Sequence, residues 1–453
     1  MNNPYDQIAY RTLPRRQTHP DRLAAMARLF GMRPAPVTAC RVLELGCGSG
    51  GNLIPQAYYL PESRFTGIDL AAAPIAAACA MAGDLGLSNI DLRAADLRDL
   101  GADEGEFDYI FAHGLYSWIP ADVRDRLMAV CGERLAPQGV AFISYNVYPG
   151  RYTRQMIREI LLYHTRGIED PAQRIAEARR LLAQIDHEEA KHVMEHSDDA
   201  LFHDDLAPVN DPVWFHEFAA HARRHGLQYL AEAQSHKTFD PATEPARENA
   251  AQVIEREQYV DFRKLRRFRE TLLCHEEVAL DRAIGPARMN GFLFSESQRA
   301  QQISGGQGVQ AVQAVVEALH HTGQLPVQFQ ELIPYAGNAE LLGQILFALL
   351  VAGCVNLHAH DFPCEETVTE TPRASRLARY QAGFGNSVTS VCHIPVELDA
   401  VAQHLVRLLD GSRTHEQIAR ELAGIPGAPS VEDVRRYLLG SLEWLAGMGL
   451  LEG

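Results

Sequence analysis

The chain lacks the features that would place it in several common classes. No run of 18 or more uninterrupted apolar residues occurs in its 453 positions, so no membrane span is expected. Residues 1–16 carry no apolar core of a secretory signal, and the expected location is the cytoplasm. Cysteine is sparse, with eight residues scattered at 40, 47, 79, 131, 274, 354, 364 and 392. No pair reads as a disulfide framework, and the pattern suits reduced cytosolic thiols. Positive charge is in short supply, at 42 Lys and Arg against 58 Asp and Glu, a formal balance of −16. A general nucleic-acid binder needs a basic footprint that is missing here. A cationic substrate is compatible with this balance, although solubility alone explains it. There is no Gly/Pro period, no fixed-period repeat and no low-complexity tract. Hydrophobic residues at 46% and charged residues at 22% are those of an ordinary globular protein. At about 150 residues per domain, the length suggests roughly three folded units.

What is present begins with Arg41-Val42-Leu43-Glu44-Leu45, a short apolar run opening directly into Gly46-Cys47-Gly48-Ser49-Gly50-Gly51. This predicts a buried strand followed by a Gly-rich loop, with a helix over 52–59. Further strands are predicted at 65–69, 90–96, 107–113 and 140–145, and helices at 74–86 and 123–135. Strands alternating with helices imply an α/β doubly wound, Rossmann-like parallel sheet over residues 1–148. Residues 149–212 read as helical and polar without a strand. An insertion there would lie as a cap over the ligand crevice at the carboxyl edge of the sheet. Residues 213–275 resume the sheet, with an amphipathic helix at 215–225, a strand at 227–233, a charged helix at 255–269 and a strand at 270–274. From 276 the alternation stops. Helices at 309–321, 326–335 and 339–352 and a strand at 354–361 make a helical middle unit to 371. Helices at 399–409, 415–422 and 431–447 make a C-terminal unit over 372–453. Both modules are compatible with winged-helix-like domains.

The chemistry concentrates in the Gly-rich loop. Glycines let the backbone approach a ligand closely and take positive φ without strain. The spacing is G-x-G-x-G, not the G-x-G-x-x-G of a pyrophosphate site. Glu44 stands two positions before the first glycine, where a carboxylate suits an ammonium group and is poor for phosphates. Acids then end the next two strands. Asp69 can accept from both hydroxyls of a ribose, and Asp96 can accept from an adenine amino group.

Together these residues resemble the class I S-adenosylmethionine-dependent methyltransferases. Longer strings resemble one branch, the bacterial protein-lysine methyltransferases that carry a methyltransferase regulatory domain, known from rickettsial outer-membrane-protein modification. The matching strings include Tyr5-Asp6, Thr18-His19-Pro20-Asp21, the 41–55 segment, Ala112-His113-Gly114-Leu115-Tyr116-Ser117-Trp118 and Ser144-Tyr145-Asn146-Val147-Tyr148-Pro149-Gly150. Phe202-His203-Asp204-Asp205-Leu206, Gly226-Leu227-Gln228-Tyr229, Glu257-Gln258-Tyr259 and Leu408-Leu409-Asp410-Gly411 extend the match over nearly the whole chain. The stretch from 276 to 372 is compact beside larger members, so the protein-substrate surface is expected to differ.

The resemblance implies S-adenosylmethionine as cofactor, with S-adenosylhomocysteine as product. Glu44 and Gly46 would meet its methionine end, Asp69 its ribose, and Asp96 with Leu97 its adenine. Cys47, Gly48, Asn52, Leu70 and His113 complete the expected cofactor set, and Tyr5, Tyr10 and His19 would fold over it from the N-terminal segment. His113, Tyr116 and Trp118 follow the fourth strand, and Tyr145 lies at the end of the fifth. These four are the candidate catalytic residues at the edge where a methyl would point. Aromatic walls there would suit a sulfonium and an alkylated ammonium. The implied acceptor is a lysine side chain of a protein. A small metabolite or a peptide natural product is the alternative, since Leu409-Asp410-Gly411-Ser412-Arg413-Thr414 also resembles peptide-leader-binding domains. A non-catalytic S-adenosylmethionine-binding protein is the remaining reading.

Three other strings point to less. Cys354, His358, His360 and Cys364 share strand parity, but the spacing departs from metal-binding pairs and a structural strand is expected. Asp186-His187-Glu188-Glu189 reads as a solvated helix face. The basic run over 263–269 reads as a solvated helix or as intramolecular ion pairs.

Overall fold

The computed structural model describes residues 8, 10, 12–101, 104–239, 249–297, 299–300, 310–364, 367–425 and 430–452. Tyr5 therefore lies outside the described residues. The centre is a seven-stranded sheet in the order β3-β2-β1-β4-β5-β7-β6. Its strands are β1 (Arg41–Leu45), β2 (Arg64–Asp69), β3 (Ile90–Ala94), β4 (Phe107–Ala112), β5 (Leu135–Asn146), β6 (Leu227–Glu232) and β7 (Phe268–His275). β1 to β5 are parallel, while β7 runs antiparallel to both β5 and β6. The strand order reverses between β1 and β4, the switch point beside which doubly wound sheets bind ligands.

Near-continuous apolar runs bury both faces of these strands. Val42, Tyr109, Phe111, Val140 and Phe142 enter one core, and Leu43, Ile110, Ala141, Ile143 and Tyr145 the other. The helix Pro20–Leu29, not anticipated from the sequence, is almost wholly buried in the first core. Proline at its first position and Asp21 in its first turn are helix-start signals.

Residues 149–212, the cap segment, are helical, with helices Tyr152–His164, Pro171–Leu182 and Glu188–Met194 and a π-helical turn at Leu201–Asp205. Ile157, Leu161, Ala178 and Val193 give the cap a core of its own. Its acidic stretch is not uniformly solvated, because Glu189 is buried and pairs with Arg154 and Arg267.

The charged helix is Ala250–Lys264, and Leu265 ends it at φ +44°. The basic run therefore divides among a helix end, a bend and β7. Arg266 and Arg269 turn inward, while Arg263 stays exposed. Arg269 is 0% exposed and meets Glu232 at 2.5 Å, Asp261 at 2.9 Å and Glu257 at 3.2 Å.

The middle unit contains a sheet as well as helices. β8 (Leu293–Glu296) lies between β9 (Val327–Gln328) and β10 (Val355–His358). β8 and β9 are too short to register in a periodicity reading. Within β10, His358 turns to Asp21 with 2.7 Å between Nδ1 and Oδ2. The C-terminal unit has helices Ala400–Leu408, His415–Ala423 and Val431–Gly447, a further short helix Arg376–Gln381, and two-stranded ladders at 373–374 with 451–452 and 387–389 with 395–397. Among the described residues, no single helix is long and apolar enough to cross a membrane.

Candidate functional site

A cavity of about 680 Å³ opens at the carboxyl ends of β1, β2 and β4, bounded by the N-terminal segment and the cap. The loop after β1 shapes its floor. Gly46 and Gly48 take φ of +77° and +52°, which only glycine adopts without strain. The next approach is closer still, because a Cβ on Gly51 would lie 2.3 Å from the Thr12 carbonyl oxygen. The N-terminal segment thus rests directly on the loop. Thr12 Oγ1 accepts from Gly51 N at 3.0 Å and lies 2.7 Å from Ser49 Oγ.

Asp69 is fixed at the end of β2 by two backbone donors. Gly48 N donates to Oδ2 and Ala71 N to Oδ1, each at 2.8 Å. Glu44 is only 4% exposed. Asn52 Nδ2 donates to its Oε1 at 2.8 Å, while its Oε2 has no partner. Burial pushes the Glu44 carboxyl up to about 8, with the Asn52 hydrogen bond opposing and the Asp69 charge adding. A buried carboxylate oxygen without a donor is costly, and a cation placed there removes the cost.

At the β3 end, Asp96 and Leu97 line the cavity. Asp96 caps the turn Leu97–Asp99 and takes an ion pair from Arg98 at 2.6 Å. Hydrogen bonds from Arg98 hold its carboxyl below the usual range. Leu70 presents an apolar side chain, 64% exposed, to the same end of the cavity. Cys47 is buried in the loop, and burial raises its thiol far above the ordinary value.

His113 follows β4 and stacks on Phe142, with ring centroids 6.1 Å apart. Burial, reinforced by Arg15, lowers its pKa to about 3, so the ring is neutral. Trp118 lines the cavity with an unpartnered buried Nε1. Tyr10 also lines it, pushed up to about 12 by burial and by Asp204.

Three expected site residues do not reach the cavity. Tyr145 stacks on Phe218 at 3.9 Å and meets Thr271 Oγ1 at 2.9 Å. Strand side chains alternate, so Tyr145 faces the opposite core from its neighbour Asn146, which is the residue that lines the cavity. Tyr116 is buried with its hydroxyl 2.8 Å from His221 Nδ1. His19 caps the helix Pro20–Leu29 and packs its ring against Phe362 and His393. Its enclosed position, 2% exposed, makes it a joint between the N-terminal segment and the C-terminal units.

Sequence reasoning assigned no role to Thr12, Arg15, Arg151, Asp204 or Phe268, all of which line the cavity. Arg151 and Asp204 arrive from the cap. Asp204 is half-buried, and burial followed by the Asp205 charge raises its carboxyl to about 6. Its one sequence signal is its place in the Phe202-His203-Asp204-Asp205-Leu206 string.

The strand order, the glycine turn after β1 and acids at the ends of β2 and β3 define a class I methyltransferase fold and site. Comparison with known proteins agrees along the chain. Residues 42–139 match the family described as "Methyltransferase domain" and 197–275 "Predicted methyltransferase regulatory domain". Residues 370–425 match "PKMT, C-terminal winged helix domain". The uncharacterized protein RP789 of Rickettsia prowazekii is 29% identical, over 93% of this chain and 86% of its own. RP028 of the same organism is 31% identical over 50% of this chain and 96% of its own. PKMT2 from Rickettsia typhi, solved in complex with AdoHcy, shares the fold, with a TM-score of 0.83 at 24% identity, over 98% of this chain and 100% of its own. The chain belongs to the class I S-adenosylmethionine-dependent methyltransferases that carry a methyltransferase regulatory domain. The regulatory match begins late in the 149–212 segment and runs through β6 and β7. The residues present fit the cofactor of the class, since the buried, unpartnered Glu44 Oε2 and the positive-φ glycines Gly46 and Gly48 line one cavity.

Proposed function

We propose that this methyltransferase acts in the cytoplasm on the side-chain amine of lysine in a protein. The supporting observation is that one cavity holds both the Glu44 carboxyl, from the sheet, and the Asp204 carboxyl, from the cap. One suits the ammonium of an amino-acid cofactor and the other that of an incoming lysine. The PKMT name carried by the matching winged-helix family and by the rickettsial structure points the same way. All eight cysteines are free thiols, which suits a reducing compartment.

Glu44 would hold the methionine ammonium, the backbone of Gly46 to Gly48 its carboxylate side, and Asp69 the ribose hydroxyls. Leu70, Asp96 and Leu97 would enclose the adenine. The bound cofactor supplies an electrophilic methyl on a sulfonium. The remaining tasks belong to the protein, namely alignment, water exclusion and a neutral amine. Trp118, Phe268 and the neutral His113 wall the cavity near the end of β4. A lysine starts with a pKa of about 10.4, and burial lowers its hold on the proton. Ionised at neutral pH, Asp204 would pair with the ammonium and take that proton.

Labelled cofactor incubated with the chain and a proteome extract is the test. Label on lysine in protein bands is the expected result. Label confined to small molecules would move the acceptor to a metabolite.

A further inference from the structure

Outside the cavity, three side chains converge between the helices Ala121–Arg134 and Phe215–Arg224. His221 and His225 are four residues apart and so share one helical face. Asp125 comes from the facing helix. Its Oδ1 lies 3.1 Å from His221 Nε2 and 2.9 Å from His225 Nε2. The three ligand atoms all lie within 4.8 Å of one another.

We propose that Asp125, His221 and His225 form a binding site for a divalent cation of the zinc class. The donor set is two imidazoles and one carboxylate, the combination that zinc accepts with a fourth position left for water. Ligand bonds of about 2.0–2.1 Å in a tetrahedron put the donor atoms roughly 3.3 Å apart. The two separations from Asp125 Oδ1 need widening by only a few tenths of an ångström, and the two imidazole nitrogens lie within 4.8 Å of each other.

The surroundings prepare the donors. His221 is largely enclosed, with 11% of its side chain exposed, and faces Asp125 Oδ1 at 3.1 Å. Metal-ligating histidines generally donate their other nitrogen to an outer partner. The Tyr116 hydroxyl stands 2.8 Å from His221 Nδ1 and can give or accept that hydrogen bond. The helices are also held close, because a Cβ on Gly132 would lie 2.2 Å from the His225 carbonyl oxygen. None of the three ligands lines the cofactor cavity. Through Tyr116 they reach the segment that carries Trp118, so a bound ion would brace one wall of the cavity from outside.

The test uses the full chain, stripped of metal with a chelator and dialysed against Zn²⁺, with bound metal counted by mass spectrometry. Wild type is expected to hold one Zn²⁺ per chain. Asp125→Asn and His225→Ala should each weaken binding at least tenfold. Both sites of substitution are accessible, so circular dichroism should report intact folding. Replacing Zn²⁺ by Co²⁺ should give visible absorption bands in wild type that both variants lose. Absence of bound Zn²⁺ in wild type, or equal binding by wild type and His225→Ala, overturns the proposal.

Discussion

Asn52 Nδ2 donates to Glu44 Oε1 at 2.8 Å and leaves the second oxygen of that buried carboxyl without a partner. The consequence is a pH dependence of opposite sign for stability and for binding. Burial raises the folded-state pKa to about 8 from the ordinary 4.5, so between these values the folded chain holds a proton that the unfolded chain has lost. This group's contribution to stability is full below the lower value and is lost as pH rises through about 8. The cofactor ammonium needs the ionised form, so affinity should rise about tenfold per pH unit between roughly pH 6 and 8. Calorimetry and melting curves at several pH values measure both. In Glu44→Gln each slope should flatten. Parallel slopes in wild type and variant would refute the assignment.

Asp69 holds the loop as well as facing the cavity, and removing it should be felt twice. Asp69→Ala leaves the Gly48 and Ala71 N–H groups without their acceptor, at about 1–3 kcal/mol. It also removes the acceptor for the ribose, and cofactor affinity should fall at least a hundredfold. Calorimetry separates binding from the change in melting temperature. Unchanged affinity would remove Asp69 from the site.

The Gly51–Thr12 contact offers a test of the N-terminal segment that spares every polar group in the cavity. Gly51→Ala places a methyl 2.3 Å from the Thr12 carbonyl oxygen, a backbone atom that must move. Displacing the segment should weaken cofactor binding at least tenfold with far less effect on melting. If the segment plays no part in enclosing the ligand, affinity will be that of wild type.

These residues also show what a sequence discloses. Glu44, the glycines and Asp69 were legible because one strand, one turn and the next strand end bring them together locally. Asp204 was not, because its contact with the cavity depends on how the cap docks. Tyr145 was misplaced by one position. Strand periodicity says that it and Asn146 face opposite ways, but which way the cavity lies is settled only by the sheet's two cores. His19 stands beside a recognisable helix start, yet its partners Phe362 and His393 are more than 300 residues away. β8 and β9 were missed because strands of four and two residues carry almost no periodicity.

Asp21 predicts how firmly the N-terminal helix is tied to the middle unit. Buried, it accepts from His358 Nδ1 at 2.7 Å, from Ala359 N at 2.7 Å and from His360 N at 2.9 Å. Asp21→Ala strands all three donors, and the expected loss is about 3–5 kcal/mol. Chemical denaturation measures it, and a loss below about 1 kcal/mol would show that the clasp contributes little.

Asp204 bears most directly on the lysine reading. Its carboxyl is raised to about 6 by burial and by Asp205, so it is ionised above that pH and neutral below it. Only the ionised form can pair with an ammonium or take its proton. With the acceptor identified, kcat/KM should therefore rise with pH through an inflection near 6. Asp204→Asn keeps the shape of the side chain but cannot accept the proton. Its kcat/KM should fall about 10²- to 10⁴-fold, the usual range for a lost general base. The Asn variant should also lose the inflection while binding cofactor within about threefold of wild type. A variant of unchanged kcat/KM would assign proton removal to water or to another group. A variant that lost cofactor affinity instead would move Asp204 from the acceptor side of the cavity to the cofactor side.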